Sequence, residues 1–538
     1  MTFFLLFFLS DTLLPGWSHH QLPSVLKHAL HTLSFNTPTP VQDATLPISL
    51  ASPTSSSTPG RDLVAIAETG SGKTLAYALP ILNTLFNLSS VPPPDIKEDL
   101  PISALILTPT RELCLQVKAH IDSVLVAMCT VTDTATNEKP KNRSGVSTVA
   151  ICGGIAVAKQ RKQLERSKRL FESEHGGRGS ILVATPGRLW DLIQSWDALA
   201  NGIRRRLDWL VVDEADKMIE KGHFEEVDKI LKLIKRPAPL DGQDGTWKDD
   251  WGKEEKVQVK ESIRTMVFSA TMDKHLQINL KKNWRQTRTQ RDKDRSSKDP
   301  LEDLLERIDF RDEEPELIDL SPKGRVAGGL KECKIECVLK DKDLYLFHFL
   351  LRYSGRTLVF LSSISALRRL APILTLLFPH STVLTLHSGM QQRARLKSLD
   401  KFRLTSKTIL LSTDVAARGL DIPLVNHVIH YQIPRTVDCY VHRSGRTARA
   451  GRDGVALVLV GPDELKVWRG LMRSLNRVDN LPSPPIEHSI SGKLQELLVL
   501  AKKIDELEHR SSKQAHESNW TKKTAEILDI DEDGGQYE

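Results

Sequence analysis

The sequence has little of what defines disulfide-rich, metal-stapled or membrane-spanning proteins. Its 538 residues include six cysteines and no CxxC pair, and Cys333 and Cys337 have no second Cys/His pair nearby to complete a metal site. Aromatic residues make up 6% of the chain and charged residues 27%, as in globular proteins rather than fibres or membrane proteins. We interpret the cysteines as reduced thiols in an intracellular protein, most of them packing residues.

A long hydrophobic run is also missing. The apolar run from Phe3 to Leu9 is far shorter than the roughly 20 residues that span a bilayer, and it lacks a preceding basic segment and an evident cleavage site. We expect residues 1–14 to be neither a signal peptide nor a membrane anchor. An artefact of a truncated gene model is a third interpretation of this start.

The charge balance is nearly even. Lysine and arginine (75) exceed aspartate and glutamate (68), for a formal charge of +7, which permits a polyanionic partner without requiring one. The length favours two or more domains.

Short aliphatic runs, separated by helix-length segments, occur in two successive sets. This pattern predicts parallel α/β sheets whose strands are buried on both faces. The first set is 63–67, 104–110, 147–154, 181–187, 207–216 and 265–271, and the second is 357–363, 382–389, 408–414, 425–431 and 454–461. Between them, a charged stretch from about Lys281 to Glu316 is interpreted as an insertion or linker. A helical pattern and an acidic tail follow Ser491.

The strongest chemical signal is AETGSGKT, residues 67–74, between a strand and a helical pattern. In that context, backbone N–H groups and the helix N-terminus cradle phosphates, Lys73 reaches the β- and γ-phosphates, and Thr74 binds Mg²⁺. The loop residues are Thr69, Gly70, Ser71 and Gly72. Ala67 stands where the strict pattern has glycine.

VVDEAD, residues 211–216, ends an apolar strand. Asp213 is predicted to hold Mg²⁺, and Glu214 to orient or deprotonate the attacking water. HRSGRTARAGR, residues 442–452, offers Arg446 and Arg449 as arginine fingers from the second sheet, or, alternatively, a basic surface helix.

These blocks, together with TPTPVQ (37–42), PTREL (109–113), TPGR (185–188), SAT (269–271) and STDVAARGLDIP (412–423), resemble the ordered motifs of DEAD-box RNA helicases. The resemblance implies two tandem RecA-like domains, each a parallel sheet flanked by helices, with charged insertions and a helical C-terminal extension. The expected boundaries are 15–321, 322–475 and 476–538.

By resemblance, Gln42 reads adenine, Phe35 or Trp17 supports the base, and Asp421 meets the ribose. Ser269 and Thr271 link the Asp216 region to His442. ATP and Mg²⁺ are the implied cofactors. Two departures, Ser444 and Glu68, fall at positions not expected to touch the γ-phosphate.

The resemblance also implies RNA contacts by small, polar and cationic residues suited to a sugar-phosphate backbone. They are Thr110, Arg111, Gly153, Gly154, Thr185, Gly187 and Arg188 in the first domain, and Gln392, Arg395, Thr413 and Arg418 in the second. Binding is therefore expected to be sequence-independent and salt-sensitive.

Further segments (213–226, 356–370, 428–450 and 500–520) resemble the Mak-five branch, called DEAD-box protein twenty-four in animals. That branch implies a nucleolar monomer that unwinds or remodels pre-ribosomal RNA, alongside pre-ribosomal proteins, during large-subunit assembly. Two alternatives stay open: a nucleotide-gated RNA clamp or assembly scaffold without productive unwinding, and a DNA helicase.

Overall fold

A computed structural model describes residues 14–50, 60–67, 70–87, 99–130, 145–172, 177–220, 224–234, 247–248, 254–255, 263–270, 300–320, 329–414, 425–448, 453–475, 477–485 and 492–511. The residues up to 320 form one compact unit, and those from 329 form a second.

The first unit is built on a seven-stranded sheet in which every pair of neighbouring strands is parallel. Its strands are β1 (Leu63–Ile66), β2 (Ile102–Leu107), β3 (Val146–Ile151), β4 (Gly179–Ala184), β5 (Trp209–Val212), β8 (Arg264–Ser269) and β9 (Glu316–Asp319). Their order is β3-β4-β2-β5-β8-β1-β9. The central strands are buried on both faces, as their unbroken apolar runs predict.

Helices cover both faces of this sheet. They are α1 (Ser24–Thr32), α2 (Pro40–Ser49), α3 (Lys73–Asn87), α4 (Arg111–Thr130), α5 (Val157–Phe171), α6 (Pro186–Gln194), α7 (Asp197–Arg206), α8 (Ala215–Glu220), α9 (Phe224–Ile234) and α10 (Pro300–Arg307). Two separate apolar clusters result, one on each face of the sheet. Two short strands, β6 (Trp247–Lys248) and β7 (Glu254–Glu255), pair antiparallel as a separate two-stranded sheet.

Residues 300–320 differ from the expectation of an insertion or linker. Helix α10 buries Leu301, Leu304, Leu305 and Ile308 against the first unit, and β9 pairs with β1 at the edge of the sheet. The leucines recur at helical spacing, but the charges around them obscured that signal. Residues 281–299 lie outside the described parts of the chain.

The second unit contains a six-stranded, wholly parallel sheet in the order β10-β15-β14-β11-β13-β12. Its strands are β10 (Leu330–Glu336), β11 (Thr357–Leu361), β12 (Thr382–Leu386), β13 (Thr408–Thr413), β14 (His427–His430) and β15 (Gly454–Val460). Its helices are α11 (Lys342–Arg352), α12 (Ile364–Leu377), α13 (Gln392–Leu404), α14 (Val437–Ser444), α15 (Leu465–Ser474) and α16 (492–511). The predicted fold class, two parallel sheets with flanking helices, is confirmed. Strands β9 and β10 were missed.

The C-terminal segment packs on the second unit. Leu498 and Ala501 of α16 bury against Ile373, and the Lys502 ammonium lies 2.7 Å from an Asp343 carboxylate oxygen. No helix among the described residues has the length and apolar character that a membrane crossing requires.

Candidate nucleotide and RNA site

The loop after β1 has the backbone that a phosphate cradle needs. Gly70 and Gly72 adopt φ values of 84° and 95°, which favour glycine. A Cβ on Gly72 would lie 2.6 Å from Gln42 Nε2, so the loop and α2 approach too closely for a larger residue. Lys73 is the first residue of α3, is buried, and donates to the Ala67 carbonyl at 3.0 Å. Thr69 lies outside the described residues, and Ser71 and Thr74 are half-buried.

Gln42 connects the start of α2 to this loop. Its Nε2 donates to the Gly72 carbonyl at 3.0 Å, and its Oε1 accepts from the Thr39 N–H at 2.9 Å. An amide side chain has two N–H donors and two acceptor lone pairs, so these two bonds use half of its hydrogen-bonding capacity. The residue expected to read adenine is therefore fixed against the phosphate loop.

The two aromatic candidates for supporting a base lie in different environments. Trp17 is fully buried in the core, where its indole N–H donates to the Phe35 carbonyl at 2.9 Å. The Phe35 ring is half-buried and packs against the edge of that core. Of the two rings, only that of Phe35 has surface open to solvent.

Asp213 follows the end of β5 and is 3% exposed. One carboxylate oxygen accepts a hydrogen bond from the Tyr77 hydroxyl at 3.1 Å. The other, Oδ1, is buried and has no hydrogen-bond partner among the described residues. Burial raises the pKa of Asp213 to about 6 against the opposing charge of Lys73, and Glu214 adds to the rise. A buried carboxylate with an unsatisfied oxygen is a fitting ligand for a divalent cation.

Glu214 is held by a buried ion pair. Its φ of 53° is in the left-handed region, where a non-glycine residue stores strain. Lys217, one turn along α8, is fully buried, and its ammonium lies 2.7 Å from Glu214 Oε1. Tyr77 and Lys217 were not predicted as site residues, because a tyrosine in an apolar helix and a lysine after an acidic turn carry no distinctive pattern.

The SAT motif begins at Ser269, the last residue of β8, and contacts the first residue of the AETGSGKT motif. Ser269 is fully buried, and its carbonyl accepts from the Ala67 N–H at 3.0 Å. Asp216 lies in the first turn of α8 and is half-buried. Thr271 lies outside the described residues.

The candidate RNA residues of the first unit follow three adjacent strands. Thr110 and Arg111 follow β2, Gly153 and Gly154 follow β3, and a third group of Thr185, Gly187 and Arg188 follows β4. The Arg111 guanidinium lies 2.6 Å from where a Cβ of Gly153 would stand, so glycine permits this approach. Arg188 donates to the Ile155 carbonyl at 3.3 Å. These contacts bring the β2, β3 and β4 ends together.

The sheet order places these residues beside the nucleotide candidates. Strands β3, β4 and β2 carry the RNA group, and the neighbouring strands β5, β8 and β1 carry Asp213, Ser269 and the phosphate loop. All follow the carboxyl ends of parallel strands, which is where open α/β sheets bind ligands. One edge of one sheet therefore carries the candidate nucleotide residues beside the candidate RNA residues.

The second unit positions its basic motif through a buried ion pair. The Arg443 guanidinium, 2% exposed, contacts Asp414 with two nitrogens, at 2.5 and 2.7 Å, and donates to the Gln432 carbonyl at 2.7 Å. His442 and Arg446, on either side, are also buried. A basic surface helix, the alternative interpretation, would expose these side chains, whereas all three are buried. Arg443 was not among the predicted site residues.

The remaining candidates of the second unit are described in part. Thr413 ends β13 and is buried, and Arg395 lies half-buried on α13, the helix that begins at Gln392. Ser444, a departure from the family pattern, has its hydroxyl 3.1 Å from His430 Nε2 inside the fold. Three predicted residues, Arg418, Asp421 and Arg449, lie outside the described residues.

Comparisons with known proteins agree with this geometry. Residues 39–278 match the DEAD/DEAH box helicase family, and residues 341–451 match the helicase conserved C-terminal domain. The chain is 37% identical to the "ATP-dependent RNA helicase MAK5" of Phaeosphaeria nodorum over 97% of its own length and 59% of that protein's. It is 34% identical to the "ATP-dependent RNA helicase mak5" of Schizosaccharomyces pombe, covering 96% of this chain and 68% of that protein.

The fold has a counterpart among solved structures. The DEAD-box helicase Mss116, "bound to ssRNA and UDP-BeF", matches with a TM-score of 0.66 and 23% identity, covering 91% of this chain and 82% of that one. The chain spans less than two thirds of several of the relatives it matches, 59% in the case of the Phaeosphaeria protein. The chain matches the family's model and is 34% identical to the Schizosaccharomyces protein across most of both chains. These findings show that this chain belongs to the DEAD/DEAH box helicase family.

Proposed function

We propose that this chain is an ATP-dependent RNA helicase that couples ATP hydrolysis to local unwinding or remodelling of RNA. The observation that carries the proposal is the carboxyl edge of the first sheet. There Asp213 follows β5, which neighbours β2, and the phosphate loop follows β1 of the same sheet. The RNA candidates Thr110, Arg111, Gly153 and Arg188 follow β2, β3 and β4. The names of the relatives, each called an ATP-dependent RNA helicase, support the same activity.

The nucleotide half of the proposal assigns one task to each group. Lys73 and the glycine-rich backbone bind the phosphates, Gln42 orients the adenine, and Glu214 positions or deprotonates the attacking water. Asp213 and Thr74 would hold Mg²⁺, and the buried, unpartnered Oδ1 of Asp213 fits that role. When bound, the cation neutralises charge on the phosphates and on the leaving group.

The RNA half assigns backbone recognition to residues that cannot read bases. The glycines permit close approach of a sugar-phosphate strand, while Arg111 and Arg188 neutralise phosphates. Affinity should therefore fall steeply with salt and vary little with sequence. A preference for RNA over DNA requires contacts to 2′-hydroxyl groups.

The second unit completes the reaction by supplying positive charge. In this proposal, ATP and single-stranded RNA together bring the two units into the active arrangement, and Arg446 and Arg449 then stabilise the departing phosphate. Bending of the bound strand melts a short duplex, and phosphate release restores the open state.

The biological setting we propose is ribosome assembly. The chain's identity to proteins named MAK5 supports a role of the MAK5 type. We infer that a monomer acts on pre-ribosomal RNA, beside pre-ribosomal proteins, in the nucleolus during large-subunit assembly. Crosslinking the protein to RNA in cells and sequencing that RNA tests this point, and the absence of ribosomal precursors would overturn it.

RNA-stimulated phosphate release tests the enzymatic proposal. Lys73→Ala and Glu214→Gln should each reduce turnover by at least about 100-fold, because each removes a group that acts on the reacting phosphate or water. Exposed Arg473→Ala on α15 is the matched control and should keep wild-type turnover. Wild-type turnover in either site variant would show the assignment to be wrong. Stimulation by single-stranded DNA equal to that by RNA would favour a DNA helicase.

A nucleotide-gated clamp or assembly scaffold is the second candidate. Helix α16 buries one face on the second unit but leaves five apolar side chains 45 to 63% exposed, at Leu497, Val499, Leu500, Ile504 and Leu507. Exposed apolar surface of this kind is typical of contact with another protein. A strand-displacement assay on a short duplex separates the candidates, because ATP-dependent RNA binding without displacement would favour the clamp.

A further inference from the structure

Three side chains with metal-ligating atoms meet near the N-terminal end of the described chain. Nε2 of His19 lies 3.1 Å from Asp43 Oδ1, and Nε2 of His20 lies 2.8 Å from the same oxygen. The three ligand atoms all lie within 4.8 Å of one another. This group is separate from the ATP and RNA residues, and the proposed helicase activity does not use it.

The fold holds part of this group rigidly and leaves part open. Trp17, fully buried at the end of a short 3₁₀ turn, anchors the segment, and the His20 backbone N–H donates to its carbonyl at 3.1 Å. The His20 side chain is 1% exposed, and its ring lies 5.8 Å from that of Trp17. In contrast, the side chains of His19 and Asp43 are 58% and 47% exposed. His19 and Asp43 therefore form the open side of the group, and His20 forms its fixed side.

We propose that His19, His20 and Asp43 form a binding site for a divalent transition-metal ion of the zinc type. Zinc lies about 2.0–2.2 Å from imidazole nitrogen and carboxylate oxygen, so neighbouring ligand atoms in a tetrahedral site are about 3.4 Å apart. The separations of 2.8 and 3.1 Å are hydrogen-bond distances, and each needs to widen by only about 0.3–0.6 Å to admit the ion. Two imidazoles with one carboxylate select Zn²⁺, Co²⁺ or Ni²⁺ over Mg²⁺, which prefers oxygen ligands. Water completes the coordination.

The second nitrogen of His20 sets the expected affinity. Its Nδ1 is buried and has no hydrogen-bond partner among the described residues. A metal-bound histidine usually donates this N–H to an acceptor, and loss of such support weakens metal binding by about 10- to 100-fold. We therefore expect a dissociation constant in the micromolar range, weaker than that of a fully supported structural zinc site.

Metal binding would join two parts of the first unit. Asp43 lies in the first turn of α2, directly after Gln42, whose side chain contacts the phosphate loop. His19 and His20 belong to the segment before α1. The ion therefore ties that segment to the helix that carries Gln42.

Calorimetric titration of Zn²⁺ into the untagged, chelator-treated full chain tests this site. The wild type should bind one ion here with micromolar affinity, unaffected by millimolar Mg²⁺. His19→Ala and Asp43→Asn should each weaken that binding by at least about 10-fold, because each removes one of three protein ligands. The matched control is His31→Ala, an exposed histidine at the end of α1 that is not part of the group.

Absorption of bound Co²⁺ gives a second measurement, since its visible spectrum reports nitrogen and oxygen coordination directly. Circular dichroism checks the fold of each variant, and His19→Ala decides alone if Asp43→Asn fails to fold. Equal Zn²⁺ affinity in the wild type and in His19→Ala would overturn the proposal, as would an equal loss in His31→Ala. Absence of saturable binding would also overturn it.

Discussion

Two buried aspartates, one in each unit, have opposite electrostatic surroundings. Asp343 in the second unit accepts two hydrogen bonds from Arg369, at 2.8 and 2.9 Å, one from Tyr431 at 2.7 Å, and contacts Lys502. Burial raises its pKa, but these partners outweigh burial and lower the pKa to about 2. Asp213 in the first unit accepts a hydrogen bond from the Tyr77 hydroxyl, and its pKa is raised to about 6, chiefly by burial.

The difference separates a carboxylate that is neutralised within the fold from one that we propose binds a cation. Asp343 has its counter-charges within the second unit, so it stabilises the fold as it stands. Asp213 is buried without full neutralisation, an arrangement that costs stability in the free protein and favours a bound cation. Substitutions at the two positions should therefore have opposite effects on stability and on turnover.

The largest expected effect is on catalysis at Asp213. Asp213→Asn should lower RNA-stimulated phosphate release on the order of 10³-fold, because it removes the charged ligand proposed for Mg²⁺. Asp343→Asn should keep turnover within a few-fold at temperatures where it is folded. Steady-state phosphate release with saturating RNA measures both. If the two variants were impaired alike, the comparison would fail.

The next effect is on the stability of the second unit. Asp343→Asn should lower the free energy of unfolding at pH 7 by about 2 kcal/mol, because it leaves Arg369 and Lys502 without their counter-charge. Since its folded pKa is depressed, the contribution of Asp343 is present above pH 4 and disappears as the pH falls towards 2. Thermal unfolding at pH 7 and at pH 3 should show a smaller difference between wild type and variant at pH 3.

Asp213 should act on stability in the opposite direction. Its folded pKa of about 6 exceeds its ordinary value of 3.8, so the stability it contributes is present below pH 4 and is lost as the pH rises through 6. Without nucleotide and Mg²⁺ at pH 7.5, the free energy of unfolding of Asp213→Asn should therefore exceed that of the wild type by up to about 2 kcal/mol. The difference should shrink at pH 4. A variant that is less stable at pH 7.5 would contradict the electrostatic account.

The smallest effect concerns the C-terminal helix. Lys502→Ala should lower the stability of the second unit by about 0.5–1 kcal/mol, because Lys502 is one of several partners of Asp343 and is partly exposed. Lys503→Ala on the same helix is the control. Denaturant unfolding of both variants measures the difference, and a loss as large as that of Asp343→Asn would show that the helix contributes more than this pair.

Local sequence patterns were sufficient to predict most strands and to select the candidate nucleotide and RNA residues. Apolar runs between polar segments located β1 and β2, and a glycine-rich loop followed by Lys73 predicted the proposed phosphate loop. Each of these signals lies within about ten consecutive residues. The sequence does not reveal which strands become neighbours, so the adjacency of the RNA and nucleotide groups became visible only in the sheet order.

Long-range contacts account for what the sequence did not predict. Tyr77 meets Asp213 across 136 residues. Asp62 accepts the backbone N–H of Thr265 at 2.8 Å and of Asp312 at 3.2 Å, across 203 and 250 residues, which secures β9 and the end of the predicted insertion to the first sheet. No local pattern distinguishes an aspartate that will bind a distant backbone from one that is exposed.

The most direct test of the central claim compares RNA affinity with and without nucleotide. Fluorescence anisotropy of a labelled single-stranded RNA should show about 10-fold or more tighter binding with Mg²⁺ and a non-hydrolysable ATP analogue, since coupling between two sites is typically worth 5- to 150-fold. Lys73→Ala should abolish the difference. Identical RNA affinity in the presence and absence of the analogue would contradict the claim that ATP and RNA bind as one coupled site.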